Sequence, residues 1–313
     1  MTNVALIFPG QGSQSVGMGK EFYDSSPEAK DVFDQANELV EGGLLKIIFE
    51  GPPDMLTSTN YCQPAIVATS IAALRAFQAH EKYKAIQPTF TAGLSLGEYS
   101  ALAASGALSF SKTINLVRRR SSLMEAAARL TPGKMAAIIG LDKARLEDIC
   151  NLTGATIANH NSPQQIVITG EAAKVEEAAR LCQEAGAKNV VMLDVSGAFH
   201  SSLMESAAEQ FRMVLERTPL EDAQIPIVSN VDAHPVTNSQ DIRLNLAHQI
   251  TSSVQWVDSV QAIASAGVKD FIEIGPGKVL KGLIKRIDPS LKVHNIATPA
   301  DIAALKIGTD VIY

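Results

Sequence analysis

Gly93-Leu94-Ser95-Leu96-Gly97 fits the pattern G-x-S-x-G and stands between an apolar run, residues 89–94, and a small-residue run, residues 99–104. A serine between a strand and a helix needs small neighbours, because the turn that pushes its hydroxyl out of the sheet is too tight for bulky ones. The Leu96 amide then lies at a helix N-terminus, where it can face a developing oxyanion. The chemistry implied is nucleophilic attack by Ser95 on an acyl carbon, and a serine hydroxyl needs a base for that.

The chain offers six histidines as that base: His80, His160, His200, His234, His248 and His294. His200 is favoured by position, since Ser196-Gly197-Ala198-Phe199-His200-Ser201 joins a strand end to a helix start. His80 lies in a charged stretch, residues 78–84, and reads as solvated. An unperturbed histidine would stop acting as a base as the pH falls through about 6.5. Phe199, next to His200, is expected to crowd the acyl group and disfavour a branch on it.

Gly10-Gln11-Gly12-Ser13-Gln14 follows the apolar run 4–8. A dinucleotide fingerprint would need glycine at Ser15 and a phosphate-binding P-loop would need lysine at Met18, so neither fits. A glycine-rich turn bearing an amide side chain suits hydrogen bonding to a carbonyl oxygen instead, which makes Gln11 a candidate. Arg118-Arg119-Arg120 follows Ile114, Leu116 and Val117 on an expected helix. Three consecutive arginines span most of a helix circumference, so at least one faces inward. An inward guanidinium can hold a carboxylate through two parallel donors.

The elements that must position these groups alternate. Strands at 4–8, 89–94, 226–229 and 270–274 interleave with helical stretches near 28–40, 65–79 and 256–266, which indicates an α/β fold with a mostly parallel sheet flanked by helices. Sites in such sheets form at the carboxyl ends of the strands. Residues 134–195 have another rhythm. Strands at 135–140, 155–158, 165–169 and 189–195 alternate with helices at 143–151 and 172–185, the second and third strands being joined across Asn161-Ser162-Pro163. That order, βαββαβ, is the ferredoxin-like split unit. The expected division is a large domain, 1–130 and 197–313, with a ferredoxin-like small domain, 131–196, inserted into it.

Bulk composition agrees with an enzyme of ordinary globular type: 313 residues, 46% hydrophobic and 19% charged. A formal net charge of -6 disfavours a nucleic-acid partner. Cys62, Cys150 and Cys182 form no CxxC pair, which suggests neither a disulfide framework nor a zinc site and suits a reducing, cytoplasmic compartment. No apolar stretch approaches membrane-spanning length, and the run 4–8 lacks the basic flank and length of a signal core.

Taken in order, Phe8-Pro9-Gly10-Gln11-Gly12-Ser13-Gln14, Gln63-Pro64-Ala65, Gly93-Leu94-Ser95-Leu96-Gly97-Glu98, Asn159-His160-Asn161-Ser162-Pro163-Gln164, Gly197-Ala198-Phe199-His200-Ser201 and Glu273-Ile274-Gly275-Pro276-Gly277 resemble the malonyl-CoA:acyl-carrier-protein transacylases of fatty-acid synthesis. The resemblance covers nearly the whole chain and includes the inserted small unit. It implies Ser95 as nucleophile, His200 as its base, and an oxyanion hole from the Leu96 amide with Gln11. It also implies that a main-chain carbonyl near Gln249, rather than a triad acid, orients the histidine. The family's substrate arginine stands four residues before a methionine, a relation that Arg120 has to Met124. Many relatives have a glycine after that arginine, where this chain has Ser121 and Ser122. Asn159 and Asn161 either line the pocket or cap a turn. The implied reaction is ping-pong transfer of malonyl from malonyl-CoA to an acyl carrier protein, with no metal or other cofactor beyond the coenzyme A of the substrate.

A carrier protein is typically acidic, so docking on an acidic enzyme needs a local positive surface. Lys278, Lys281, Lys285 and Arg286 recur at helical spacing and are candidates. Two rival readings start from the same residues. An esterase of the α/β-hydrolase type would order its triad as Ser95, then Asp270 or Asp288, then His294. A carrier-docking subunit with a relict site is the non-enzymatic alternative.

Overall fold

The computed structural model describes residues 3–84 and 86–307. Among the described residues ten strands are formed: β1 (Val4–Phe8), β2 (Phe90–Gly93), β3 (Gly133–Ile139), β4 (Thr156–Ser162), β5 (Gln165–Glu171), β6 (Asn189–Met192), β7 (Ile227–Val228), β8 (Pro235–Val236), β9 (Asp270–Ile274) and β10 (Lys292–Ile296). They make two sheets. The larger has the order β10-β9-β1-β2-β7-β8, parallel except for the β7–β8 hairpin. The α/β class with a mostly parallel sheet read from the sequence is the class observed.

Burial on both faces explains the apolar continuity of β1. Its side chains alternate, so Val4, Leu6 and Phe8 enter the main core, and Ala5 and Ile7 enter a second core with Trp256, Phe271 and Leu283. Helix Thr59–Ala79 is surrounded by protein, and so its apolar residues recur all round rather than along one stripe. Helix Phe110–Leu130 packs against it and carries the three arginines.

The smaller sheet has the antiparallel order β4-β5-β3-β6. Ala136, Ile138, Ile166 and Ile168 face helices Lys143–Thr153 and Ala172–Glu184 in a core of their own. The alternate residues, Met135, Ala137 and Val167, turn to the main core. One face of the small sheet therefore roofs the carboxyl ends of the large one.

Two boundaries beside the cleft differ from expectation, and some elements were not expected. β4 runs on through Asn159, His160 and Asn161 to Ser162, so these asparagines lie in a strand and the turn narrows to Pro163-Gln164. The reason is long-range: Val254 N donates to Ala158 O (2.8 Å) and His160 N to Val254 O (2.9 Å), which holds this polar segment extended. β6 ends at Met192, and residues 193–195 leave the sheet to line a cleft. The strand expected at 226–229 forms as the shorter β7, whereas β8, β10 and helix Pro299–Ala304 have no counterpart in the sequence reading.

Candidate active site

The close approach of two elements builds the serine elbow. A Cβ on Gly93 would lie 1.9 Å from the Gly97 carbonyl carbon, and one on Gly97 would lie 2.1 Å from Phe8 O, so neither position admits a side chain. Between them Ser95 takes φ +51°, a left-handed conformation that a non-glycine residue rarely adopts. Asn230 clamps the turn: Ser95 N donates to its Oδ1 (2.6 Å), and its Nδ2 donates to Gly93 O (2.7 Å).

His200 also has positive φ, +60°, and its ring reaches the serine with Nε2 2.8 Å from Ser95 Oγ. Its Nδ1 lies 2.9 Å from Gln249 O and 3.1 Å from Ser252 O. Two carbonyl oxygens can only accept, so Nδ1 carries the proton and Nε2 presents its lone pair to the serine hydroxyl. Burial, and then the positive charge of Arg120, hold the imidazole down to about 4. The loss of base function expected near pH 6.5 for an unperturbed histidine therefore moves well below neutrality.

The three arginines point three ways. Arg119 is exposed, Arg118 donates to Leu39 O, and Arg120 is 1% exposed with its guanidinium at the serine. Arg120 Nη1 donates to Gln63 Oε1 (2.8 Å), and Nη2 donates to Gln249 Oε1 (3.1 Å) and Ser95 Oγ (3.2 Å). Its Nε is buried with no acceptor among the described residues, which leaves a donor to spare. The guanidinium carbon also lies 5.2 Å from the centre of the Tyr99 ring. Burial lowers the guanidinium pKa, while Tyr99 and Glu98 oppose that shift.

A cleft of about 300 Å³ opens over these groups. Ser95, Leu96, Gln11, Arg120, Met124, Asn159, Phe199 and His200 all line it. The Leu96 amide starts helix Gly97–Ala104, and neither it nor the Gln11 amide has a protein acceptor among the described residues. Gln249 is buried behind the cleft and touches His200 through its carbonyl and Arg120 through its side chain. Lys278, Lys281, Lys285 and Arg286 are not among the lining residues. Lys278, Lys285 and Arg286 are exposed and Lys281 half-buried, beside or on helix Val279–Ile287. His294 pairs with Asp270 (3.1 Å) across β10 and β9, away from Ser95, so the chain order of an esterase triad is not built here.

Four contributors escaped the sequence reading of the site: Gln63, Glu98, Asn230 and Ser252. Gln63 and Glu98 had a signal, since both lie inside the stretches that carried the resemblance. Asn230 and Ser252 had none, because each meets its partner only through the tertiary fold. Glu98 is 3% exposed, and its Oε2 accepts from Gln249 Nε2 (2.6 Å) and from Asn230 N (3.4 Å). Burial pushes this carboxyl up to about 7, against the pull of those hydrogen bonds and of Arg120.

A hydroxyl bonded to a neutral imidazole, two open amides and a buried cation can together attack an acyl carbon, hold its oxyanion and select an acidic acyl tail. The sequence pattern of the acyl transferase domain matches residues 5–303. A malonyl CoA-acyl carrier protein transacylase of Bacillus subtilis (strain 168) is 46% identical over 307 residues, 96% of this chain and 96% of that protein. The crystal structure of a malonyl-CoA:acyl carrier protein transacylase from Xanthomonas oryzae pv. oryzae superposes with a TM-score of 0.92 at 42% identity, covering 97% of this chain and 98% of that one. A malonyl-transacylase solved in complex with its type II polyketide acyl-carrier protein gives a TM-score of 0.93 at 36% identity, covering 97% and 98%.

Proposed function

The chain belongs to the acyl transferase family, and we propose that Ser95, His200 and Arg120 carry out its reaction. The activity is transfer of a malonyl group from malonyl-CoA to the phosphopantetheine thiol of an acyl carrier protein, a step that supplies fatty-acid synthesis. One observation carries the assignment to this site. A buried guanidinium stands 3.2 Å from the nucleophilic oxygen, so an acyl group on Ser95 that reaches it must be short and end in an anion.

The reaction is ping-pong through a malonyl-serine. His200 Nε2 accepts the Ser95 proton as Oγ attacks the thioester carbon. The amides of Leu96 and Gln11 hold the oxyanion, and collapse breaks the C–S bond as the proton returns to the departing coenzyme A sulfur. The carrier thiol then gives its proton to His200, attacks the ester carbon, and Ser95 leaves with that proton. Gln249 O keeps the imidazole in the required tautomer. Met124 and Asn159 shape the cleft around the malonyl group, and Phe199 limits its width.

These side chains supply both base and electrophilic stabilisation, so the scheme calls on no resident metal or cofactor; coenzyme A enters with the substrate. The carrier is proposed to dock near Lys278, Lys281, Lys285 and Arg286, whose helix packs against β4 at the edge of the cleft. Residues 131–196 are proposed as a small domain inserted in a large one, 1–130 and 197–313. Among the described residues no helix is long and apolar enough to cross a membrane; the cysteine usage supports a cytoplasmic setting. The test is coenzyme A release from malonyl-CoA with and without holo carrier. Transfer predicts a single burst without carrier and turnover with it; steady release without carrier would indicate a hydrolase.

A further inference from the structure

We propose that Glu98 is a positioning residue for this reaction: its buried carboxylate, together with the Ser95 carbonyl, fixes the direction of the Gln249 side-chain amide, and through Gln249 it sets both Arg120 and His200. The proposal rests on the malonyl-transfer reading above. Gln249 bonds to Arg120, to His200 and to the main chain of Ser95. Its Nε2 donates to Glu98 Oε2 (2.6 Å) and to Ser95 O (3.1 Å), its Oε1 accepts from Arg120 Nη2 (3.1 Å), and its main-chain carbonyl accepts from His200 Nδ1 (2.9 Å).

An amide has two nearly isosteric ends, so shape alone does not decide which end faces Arg120. A carboxylate accepts and cannot donate. Placed 2.6 Å from one end of the amide, it requires that end to be NH2, and the oxygen must then meet the guanidinium. If Glu98 is neutral, its proton can donate to the amide, and Ser95 O alone (3.1 Å) then holds NH2 at this end. The amide is held less firmly, and each reversal points NH2 at Arg120, donor against donor, and displaces the guanidinium that reads the acyl tail. The same carboxylate accepts from Asn230 N, whose side chain clamps both sides of the Ser95 turn.

The spacing also serves charge balance. Arg120 is a buried cation and needs a nearby anion. A carboxylate bonded to it directly would occupy the donors that the substrate's carboxylate must find. Glu98 balances the charge from behind one interposed amide and leaves those donors available. The charged or titratable groups that act on Glu98 are Arg120 on helix Phe110–Leu130, Asp232 beyond β7, and its neighbour Tyr99. Burial is the largest influence and favours protonation, with Arg120 opposing it, so the carboxyl changes charge at about pH 7.

The experiment measures kcat/KM against pH for malonyl-pantetheine, a substrate without phosphate groups, over about pH 5.5 to 8.5. Ser95 acylation of the wild-type enzyme by malonyl-pantetheine is checked first by mass, which tests the malonyl reading separately. The wild type should gain about tenfold or more as the pH rises through 7, since the active form is the carboxylate. Glu98→Gln should be flat across this range at or below the acid plateau, and its preference for malonyl over acetyl should fall at least about fivefold. Glu98→Asp should be slower but keep the pH-dependent rise. A flat wild-type profile, a Glu98→Gln enzyme that keeps the rise, or one that reaches the wild-type plateau overturns the proposal. If Glu98→Gln does not fold, the wild-type and Glu98→Asp profiles decide it.

Discussion

Replacing Arg120 by alanine separates specificity from catalysis. The guanidinium makes three hydrogen bonds in the free protein and has a further donor in Nε. A malonyl carboxylate held by two charge-assisted bonds gains about 1.5 kcal/mol or more from each, so about 3 kcal/mol, or ~100-fold, is lost with the side chain. The substitution also orphans Gln63 Oε1 and Gln249 Oε1, at about 1–3 kcal/mol of stability each. That penalty is common to every acyl group, so it cancels in a ratio. The assay is kcat/KM for malonyl and for acetyl transfer from coenzyme A to a holo carrier. The malonyl-to-acetyl ratio should fall by about two orders of magnitude in Arg120→Ala, with acetyl transfer steady or faster. Arg120→Lys should fall between, keeping the charge but losing the fork. Arg118→Ala and Arg119→Ala should leave the ratio unchanged, since one arginine is anchored on Leu39 O and the other is exposed. If Arg120→Ala slows malonyl and acetyl by the same factor, Arg120 is structural and the reasoning fails.

Phe199 lines the cleft beside His200, so Phe199→Ser should raise methylmalonyl relative to malonyl kcat/KM by the ~1–3 kcal/mol that one methyl group is worth in an apolar pocket; an unchanged ratio excludes this role. Reversing charge in Lys285→Glu/Arg286→Glu should raise the KM for carrier several-fold in a salt-sensitive way. Acylation of Ser95 by malonyl-CoA should stay as it is, and an unchanged carrier KM would move docking elsewhere. Gly97→Ala places a Cβ 2.1 Å from Phe8 O, where only backbone can give way. It should cost at least about 3 kcal/mol and lower Tm by roughly 6 °C or more, read by thermal unfolding; a wild-type Tm would show that the elbow is not sterically fixed.

The serine elbow was legible because its constraint is local. Gly93 and Gly97 are dictated by contacts within a few residues of Ser95 and with the strand alongside, and the pattern prints that in five letters. The parallel α/β class was legible because both faces of β1 are buried and its sequence is apolar without alternation. His200 was only the favourite among six histidines, by its position, until the resemblance singled it out. Its selection in three dimensions depends on two carbonyls, from Gln249 and Ser252, about fifty residues away along the chain. The polar stretch at Asn159 read as part of a turn because its extended conformation is imposed from outside, by Val254. Asn230 is 135 residues from Ser95 in sequence and in direct contact with it in the fold, a relation with no local signature.

The central claim is that the malonyl group travels on Ser95. Intact mass after incubation with malonyl-CoA, followed by peptide mapping and a chase with holo carrier, tests it most directly. One malonyl adduct should form on the peptide containing Ser95, be absent in Ser95→Ala, form at least about a hundredfold more slowly in His200→Ala, and vanish as malonyl appears on the carrier. An adduct on another residue, or one that persists in Ser95→Ala, contradicts the account.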